Sequence, residues 1–256
     1  MSTDTQVPEN WFARGGQAYA RFRPDYPVEL AQFLAKIAPA SDRAVDVGCG
    51  NGQLTVQLAA CFDEVIGVDP SADQIASATT HPHVRYICTP AEKIAVTLPA
   101  RSASLITAAQ AAHWFDLPAF YAQAQKIAAD NAVIALISYG VLRLPAEFQD
   151  RFSRFYHDEI GPYWPPERKL VDGGYRDLSF PFPEAAAPKL EIQRTWELAE
   201  FLGYVSTWSA VKRLDTAGQS GSLANFAQDI SQLWGDPTQK HPVSWPINMR
   251  VGTIHV

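Results

Sequence analysis

The chain has 256 residues, 47% hydrophobic and 19% charged, which is enough apolar material for one large core and too ordinary a charge content for a disordered chain. Its net charge of −6 weighs against a nucleic-acid partner, because phosphate binding needs a basic surface. The opening MSTDTQVPEN has neither a basic segment nor an apolar core, and the longest apolar stretch, AVIALI, is far too short to span a bilayer; the reading is a cytoplasmic protein with no membrane partner, acting as a monomer or homodimer.

In chain order, the first predicted element is a helix near 28–37, VELAQFLAKI, followed by a strand near 43–47. Residues 44–59, AVDVGCGNGQLTVQLA, then read as a strand, a turn and the start of a helix near 53–61. Gly48, Gly50 and Gly52 alternate with Cys49 and Asn51 in the turn. Glycine supplies positive φ and removes the Cβ atoms that keep a ligand off the backbone. A loop of this kind at the carboxyl end of a parallel strand is where open α/β sheets bind ligands. The dinucleotide fingerprint requires its third glycine or alanine three residues after the second. Gln53 occupies that place, which disfavours a nicotinamide-dependent oxidoreductase. Asp46, at the strand end before the first glycine, is placed to orient the loop or to reach a cationic group such as an amino acid tail. Asp69 closes the next predicted strand, EVIGVD at 64–69, nineteen residues after Gly50. That is the reach at which a carboxylate accepts hydrogen bonds from ribose hydroxyls.

A helix near 71–79, strands near 84–88 and 103–109, a helix near 117–129 and a strand near 132–138 continue the alternation. Such alternation implies parallel strands joined by right-handed crossovers. Asp116 and Pro118 mark the start of the helix near 117. After residue 140 the chain changes character. Residues 141–188 are rich in aromatics and proline, too irregular for the sheet and too apolar for a disordered linker, and read as a cap inserted before the last strands. LEIQRTW at 190–196 and residues 243–256 read as β, with helices near 197–209 and 222–234 between them, whose Trp and Phe residues read as core. Cys49, Cys61 and Cys88 are spaced for neither zinc nor a disulfide framework, and no metal is expected.

The D-x-G-x-G-x-G run at 46–52, with an acid closing the second strand, resembles the class I S-adenosylmethionine-dependent methyltransferases. Further matches follow in that family's order. CTPAEKI (88–94) lies where its members flank the adenine, SASLITAAQAAHWFD (102–116) resembles the fourth strand and the loop facing the methyl group, and YARFRPDYP (19–27) resembles the N-terminal lid of a small-molecule branch that includes trans-aconitate methyltransferases. Methyltransferases of toxoflavin-type azapteridines are another group the chain is similar to. The resemblance implies a Rossmann-like α/β fold: a seven-stranded, mostly parallel sheet with an antiparallel closing strand and helices on both faces. It also implies a single domain, 1–256, divided into an N-terminal lid and helix (1–40), a cofactor core (41–140), the cap (141–188), and closing strands and helices (189–256). The implied cofactor is S-adenosylmethionine, with S-adenosylhomocysteine as product. The implied cofactor residues are Tyr19, Arg23, Asp46, Gly48, Cys49, Gly50, Gly52, Asp69, Pro70, Ala91, Glu92 and Gln110.

Methyl transfer is an in-line displacement that needs positioning and water exclusion. Aromatic walls suit that task and offer π faces to a sulfonium. Trp11, Phe12, Tyr26, Tyr139 and Trp164 are the expected substrate walls, and His113 with Trp114, after the fourth strand, are the expected catalytic pair. His113 reads either as a proton acceptor or as a group that positions the methyl acceptor. Two small-molecule acceptors compete. A planar heterocycle or phenol would use stacking walls, whereas a trans-aconitate-like polycarboxylate would need convergent arginines, with Arg14, Arg21, Arg23 and Arg143 on offer. Outside the class, a nicotinamide-dependent oxidoreductase and a non-catalytic binding module remain as alternatives.

Overall fold

A computed structural model describes residues 24–255. Trp11, Phe12, Arg14, Tyr19, Arg21 and Arg23 lie outside the described residues. Two compact units are present. A sheet unit holds Asp25–Leu142, Glu167–Ile192 and residues 245–255, and a helical unit holds Arg143–Pro166 and Gln193–Ser244. The stretch 141–188, read as one cap, is thus divided: 143–166 belongs to the helical unit and 167–188 to the sheet unit.

The sheet runs β3-β2-β1-β4-β5-β8-β6, from β1 (Arg43–Val47), β2 (Glu64–Asp69), β3 (Val84–Cys88), β4 (Ala103–Ala109), β5 (Ala128–Tyr139), β6 (Glu184–Ala185) and β8 (His241–Ile254). β7 (Leu190–Trp196) also pairs β8. The first five strands are parallel, with Val45 in register with Ile66 on one side and Ile106 on the other, and β8 runs antiparallel to β5. β1 and β4 read as apolar runs because both faces are covered, which is what a parallel sheet with crossover helices demands. Val45, Ile66, Ile106 and Ile134 are fully buried in one continuous core. The strand order reverses at β1, so the crevice between the carboxyl ends of β1 and β4 is the ligand-binding switch point of an open α/β sheet.

The helices of the sheet unit are α1 (Val28–Ile37), α2 (Gln53–Leu58), α3 (Ala72–Ala76), α4 (Ile94–Thr97), α5 (Leu117–Ile127) and α7 (Arg168–Asp172). Ser71 caps α3 by accepting from the Gln74 amide at 3.3 Å, and Asp116 caps α5 by accepting from the Ala119 amide at 3.2 Å. The predicted helix near 117–129 ends at Ile127 because β5 begins at Ala128, four residues before its predicted start.

Among the described residues, eight strands replace the seven expected. The additional one is β6, two residues within the proline-rich segment. Arg250 on β8 holds that segment, donating to the Leu178 carbonyl, pairing with Glu184 and lying 4.9 Å over the Phe180 ring. Gly252 leaves room for the crossing, since a Cβ there would lie 2.8 Å from both Phe180 and Phe182.

In the helical unit, α6 (Ala146–Arg154) continues into a single π turn, Phe155–Glu159, and is followed by α8 (Leu198–Ser206), α9 (Ser209–Thr216) and α10 (Ser220–Trp234). The helix predicted over 197–209 is α8, which ends at Ser206; after Thr207 and Trp208 the chain forms α9, a helix the sequence reading did not predict. A capping box formed by Glu197 and Glu200 starts α8. Phe155 stacks on Phe226 at 3.8 Å, and Phe201 stacks on Trp234 at 5.8 Å. The aromatic residues of these helices are therefore core, as the usual burial of large aromatic side chains predicts. Half-buried Arg151 is satisfied within the unit by Glu159 at 2.9 Å and Asp229 at 2.7 Å.

Candidate functional site

The glycine loop leaves β1 and folds back onto β2. The amides of Gly48 and Cys49 both donate to the Val68 carbonyl, at 2.7 and 3.0 Å. Asp69 fastens the loop's centre: its Oδ2 accepts the Gly50 amide at 2.9 Å, while its Oδ1 accepts the Ser71 amide at 2.9 Å. Each carboxylate oxygen has a second lone pair, so a diol beside the loop can still donate to Asp69.

The glycines have different reasons. Gly48 has φ 71°, and a Cβ there would collide with the Ala111 methyl and lie 3.2 Å from Phe115 Cζ. Gly50 has φ 55°, and the nearest atom to its added Cβ is Gln74 Oε1 at 3.8 Å, so its face is open. Gly48→Ala is therefore expected to act on folding, costing about 2–4 kcal/mol from left-handed strain and overpacking together; urea denaturation against the unsubstituted protein checks it.

Asp46 is 1% exposed, and both its oxygens are engaged, by Thr55 Oγ1 at 2.7 Å and Thr107 Oγ1 at 2.8 Å. Of the two roles the sequence left open, the geometry has the loop-orienting one: the carboxylate ties β1 to α2 and β4 and turns no oxygen toward solvent. Burial pushes its pKa up to about 6, the two threonine hydroxyls oppose that rise, and the Asp69 charge adds to it. Since the folded value lies above the unfolded one, the native state binds more protons between about pH 4 and pH 6, and stability falls as pH rises through that window. Asp46→Asn lacks this term. Relative to the unsubstituted protein it should gain about 2–3 kcal/mol on going from pH 4 to pH 7, read from urea unfolding of both proteins at the two pH values.

Cys49, in the loop, is half-buried with its thiol 3.6 Å from the Gly50 carbonyl, and burial raises its thiol pKa far above the usual range. Tyr86 on β3 covers the other side: its phenol donates to the Thr79 carbonyl at 2.8 Å and occupies the place a Gly52 side chain would take. The segment after β3 meets the end of β2, with the Thr89 amide donating to the Asp69 carbonyl at 3.1 Å and the Cys88 thiol 3.5 Å from the Pro70 carbonyl. Ala91 is buried at the start of a short 3₁₀ turn, and Glu92 accepts the Asp116 amide at 3.0 Å. Pro70 follows Asp69 directly, and Glu92 joins the turn after β3 to the start of the helix at 117.

On the opposite side, β4 is followed by Gln110 at φ 54°, whose amide donates to the Ile137 carbonyl at 2.8 Å. The chain then presses Ala111 and Phe115 against Gly48, which brings His113 and Trp114 beside the glycine loop. Trp114 is 62% exposed, its ring 4.8 Å from the imidazole of His113. Nδ1 of His113 lies 2.7 Å from the Tyr175 hydroxyl. Tyr26 and Tyr139 are buried and meet edge to edge at 6.2 Å, with the Tyr26 carbonyl accepting from Gln57 Nε2 at 2.8 Å. They are packed rather than open walls. Trp164 lies in the helical unit, 5.1 Å from Tyr156 and 5.6 Å from Trp208, its indole donating to the Tyr156 carbonyl at 3.3 Å. Arg143, in the same unit, forms a bridge with Ser244. The sequence reading missed Thr55, Thr107, Tyr86 and Tyr175. A hydroxyl three residues into the helix after a glycine loop was a visible signal for Thr55; nothing local marked the other three.

A glycine loop at the switch point of a 3-2-1-4-5 parallel sheet, tethered by an acid that ends β2 and followed by an antiparallel closing strand, defines the class I methyltransferase architecture. Residues 44–131 match the methyltransferase domain family. A relative from Dictyostelium discoideum, provisionally named a methyltransferase, is 34% identical over 227 residues, covering 87% of this chain and 86% of its own. A solved structure from Anaeromyxobacter dehalogenans, provisionally described as a type II methyltransferase, is 44% identical with a TM-score of 0.86, and the match covers 91% of this chain and 99% of that one. The chain belongs to the S-adenosylmethionine-dependent methyltransferases.

Proposed function

We propose that the protein transfers a methyl group from S-adenosylmethionine to a small planar molecule, at a heterocyclic nitrogen or a phenolic oxygen, in a site made by Gly48–Gly52, Asp69 and the segment 110–115. The observation that carries this reading is the packing of Ala111 and Phe115 on Gly48, which sets His113 and an exposed indole, Trp114, beside the loop. An open indole face is suited to stacking a flat acceptor.

The residues fit the cofactor. The open face of Gly50 admits a ligand to the backbone, Asp69 retains lone pairs for ribose hydroxyls, and Pro70, beside Asp69, with Ala91 and Glu92 of the turn after β3 are the residues proposed to flank the adenine. When bound, the cofactor supplies an electrophilic methyl on a sulfonium. The chain's own contribution is then to hold the acceptor in line and keep water out, an effect on the order of 7 kcal/mol or more where positioning dominates. His113 is read here as the group that orients the acceptor. Net charge of −6 supports a small molecule over nucleic acid.

Mass spectrometry of ligands released from the purified protein, with calorimetric titration of S-adenosylhomocysteine, tests the cofactor. Uptake of a nicotinamide dinucleotide in its place would overturn the assignment. Assay of planar heterocycles and phenols beside trans-aconitate tests the acceptor, and methyl ester formation on the carboxylates alone would refute the planar reading.

A further inference from the structure

The GGY turn that ends α7 holds its tyrosine in an unfavourable backbone. Gly174 and Tyr175 have φ of 67° and 61°, and Tyr175 is the only aromatic residue in the left-handed region among the described residues. A bulky side chain rarely adopts that region unless its surroundings enforce it. Here they do. The amides of Gly173, Gly174 and Tyr175 donate back to the carbonyls of Lys169, Val171 and Leu170, each at 2.9 Å. A Cβ on Gly174 would lie 2.8 Å from Asn248 Cγ, so the turn is closed against β8.

The result is a tyrosine turned inward with 0% exposure. Filling that space would need only a phenylalanine, so the hydroxyl requires its own account. It lies 2.7 Å from His113 Nδ1, with the two rings 5.9 Å apart and tilted by 37°. A buried phenol hydrogen needs an acceptor. Among the described residues Nδ1 is the acceptor within reach of the phenol hydrogen. A proton on Nδ1 would make the phenol oxygen the acceptor and strand the phenol hydrogen in the interior.

We propose that Tyr175 sets the tautomer of His113: the phenol donates to Nδ1, the ring proton lies on Nε2, and His113 meets the methyl acceptor as a hydrogen-bond donor. This rests on the methyl-transfer site proposed above and deepens it. Nε2–H selects an acceptor molecule that carries a lone pair or negative charge beside the atom to be methylated. It has no lone pair with which to remove a proton, so the acceptor must arrive already ionised or lose its proton elsewhere. Tyr175 is then a positioning residue that acts through His113. Burial raises its phenol pKa well above the ordinary value, which keeps the proton on the phenol.

The test is long-range ¹H–¹⁵N correlation NMR of the labelled full chain, at a pH where its imidazoles are neutral, with His113 identified by its loss in His113→Asn. The expected result is an Nε2–H pattern for His113, and in Tyr175→Phe, which retains the ring, a severalfold rise in the Nδ1–H population. An Nδ1–H pattern in the unsubstituted protein overturns the proposal without any variant, and so do unchanged His113 shifts in a folded Tyr175→Phe. Titration of S-adenosylhomocysteine into the same sample separates the two readings. An Nε2–H histidine in a chain that takes up no S-adenosylhomocysteine leaves the pairing standing and refutes the methyl-transfer site.

Discussion

Gly50→Val is expected to abolish measurable binding of S-adenosylhomocysteine, a loss of a hundredfold or more, while the chain still unfolds cooperatively. The expectation follows from where the added atoms go. The Cβ of residue 50 would have its nearest neighbour, Gln74 Oε1, at 3.8 Å, so the side chain meets no core and projects into the open face of the loop. A branched residue at φ 55° adds left-handed strain of about 1–2 kcal/mol, tolerable for a domain of ordinary stability. The same strain pulls on the Gly50 amide, which Asp69 holds at 2.9 Å, so ligand access and loop geometry fail together. Calorimetric titration beside urea unfolding checks both halves. A folded Gly50→Val that binds with an unchanged dissociation constant would show that the loop is not the cofactor site. Gly48→Ala is the contrast, since its Cβ meets Ala111 and Phe115 inside the fold.

Asp69→Ala should weaken S-adenosylhomocysteine by roughly tenfold to a hundredfold, corresponding to about 1–3 kcal/mol for partners left without their acceptor. Two consequences combine. The ribose hydroxyls lose the oxygens proposed to receive them, and the amides of Gly50 and Ser71 lose theirs. Asp69→Asn separates the parts, because it keeps the shape and one carbonyl oxygen but turns an amide donor toward one of the two backbone N–H groups. If the hydroxyl contacts dominate, Asn retains part of the affinity that Ala loses. Equal affinity of Asp69→Ala and the unsubstituted protein would remove Asp69 from the site.

Several features of the site were legible because their causes are local. The apolar run of Ala44, Val45 and Val47, the three spaced glycines and the helix that follows form one strand-turn-helix unit whose conformation depends on near neighbours. The position of Asp69 at the end of β2 followed from strand length, and the parallel order of the first five strands followed from their alternation with helices. Even the burial of the aromatics in α8 and α10 was readable, since large aromatic side chains are usually core.

What the sequence could not express is which distant groups share the interior. Asp46 reads as a ligand-facing or loop-orienting acid until Thr107, 61 residues on, is seen to occupy its second oxygen. β6 contains only two residues and is a strand because Arg250 and Gly252 of β8 accommodate its neighbours, not because Glu184 and Ala185 favour one. Tyr26 and Tyr139 have the composition of substrate walls, yet packing buries them against each other. Tyr175 stands 62 residues from His113 and reaches it through a turn whose strain no residue-by-residue preference would choose. The sequence by itself determined the parallel α/β class, the glycine loop and its acid, because backbone sterics and hydrophobic period act over a few residues. Only the tertiary structure decided which oxygens are already taken and which way His113 is held, because buried polar groups are satisfied by whatever the packed fold brings within hydrogen-bond distance.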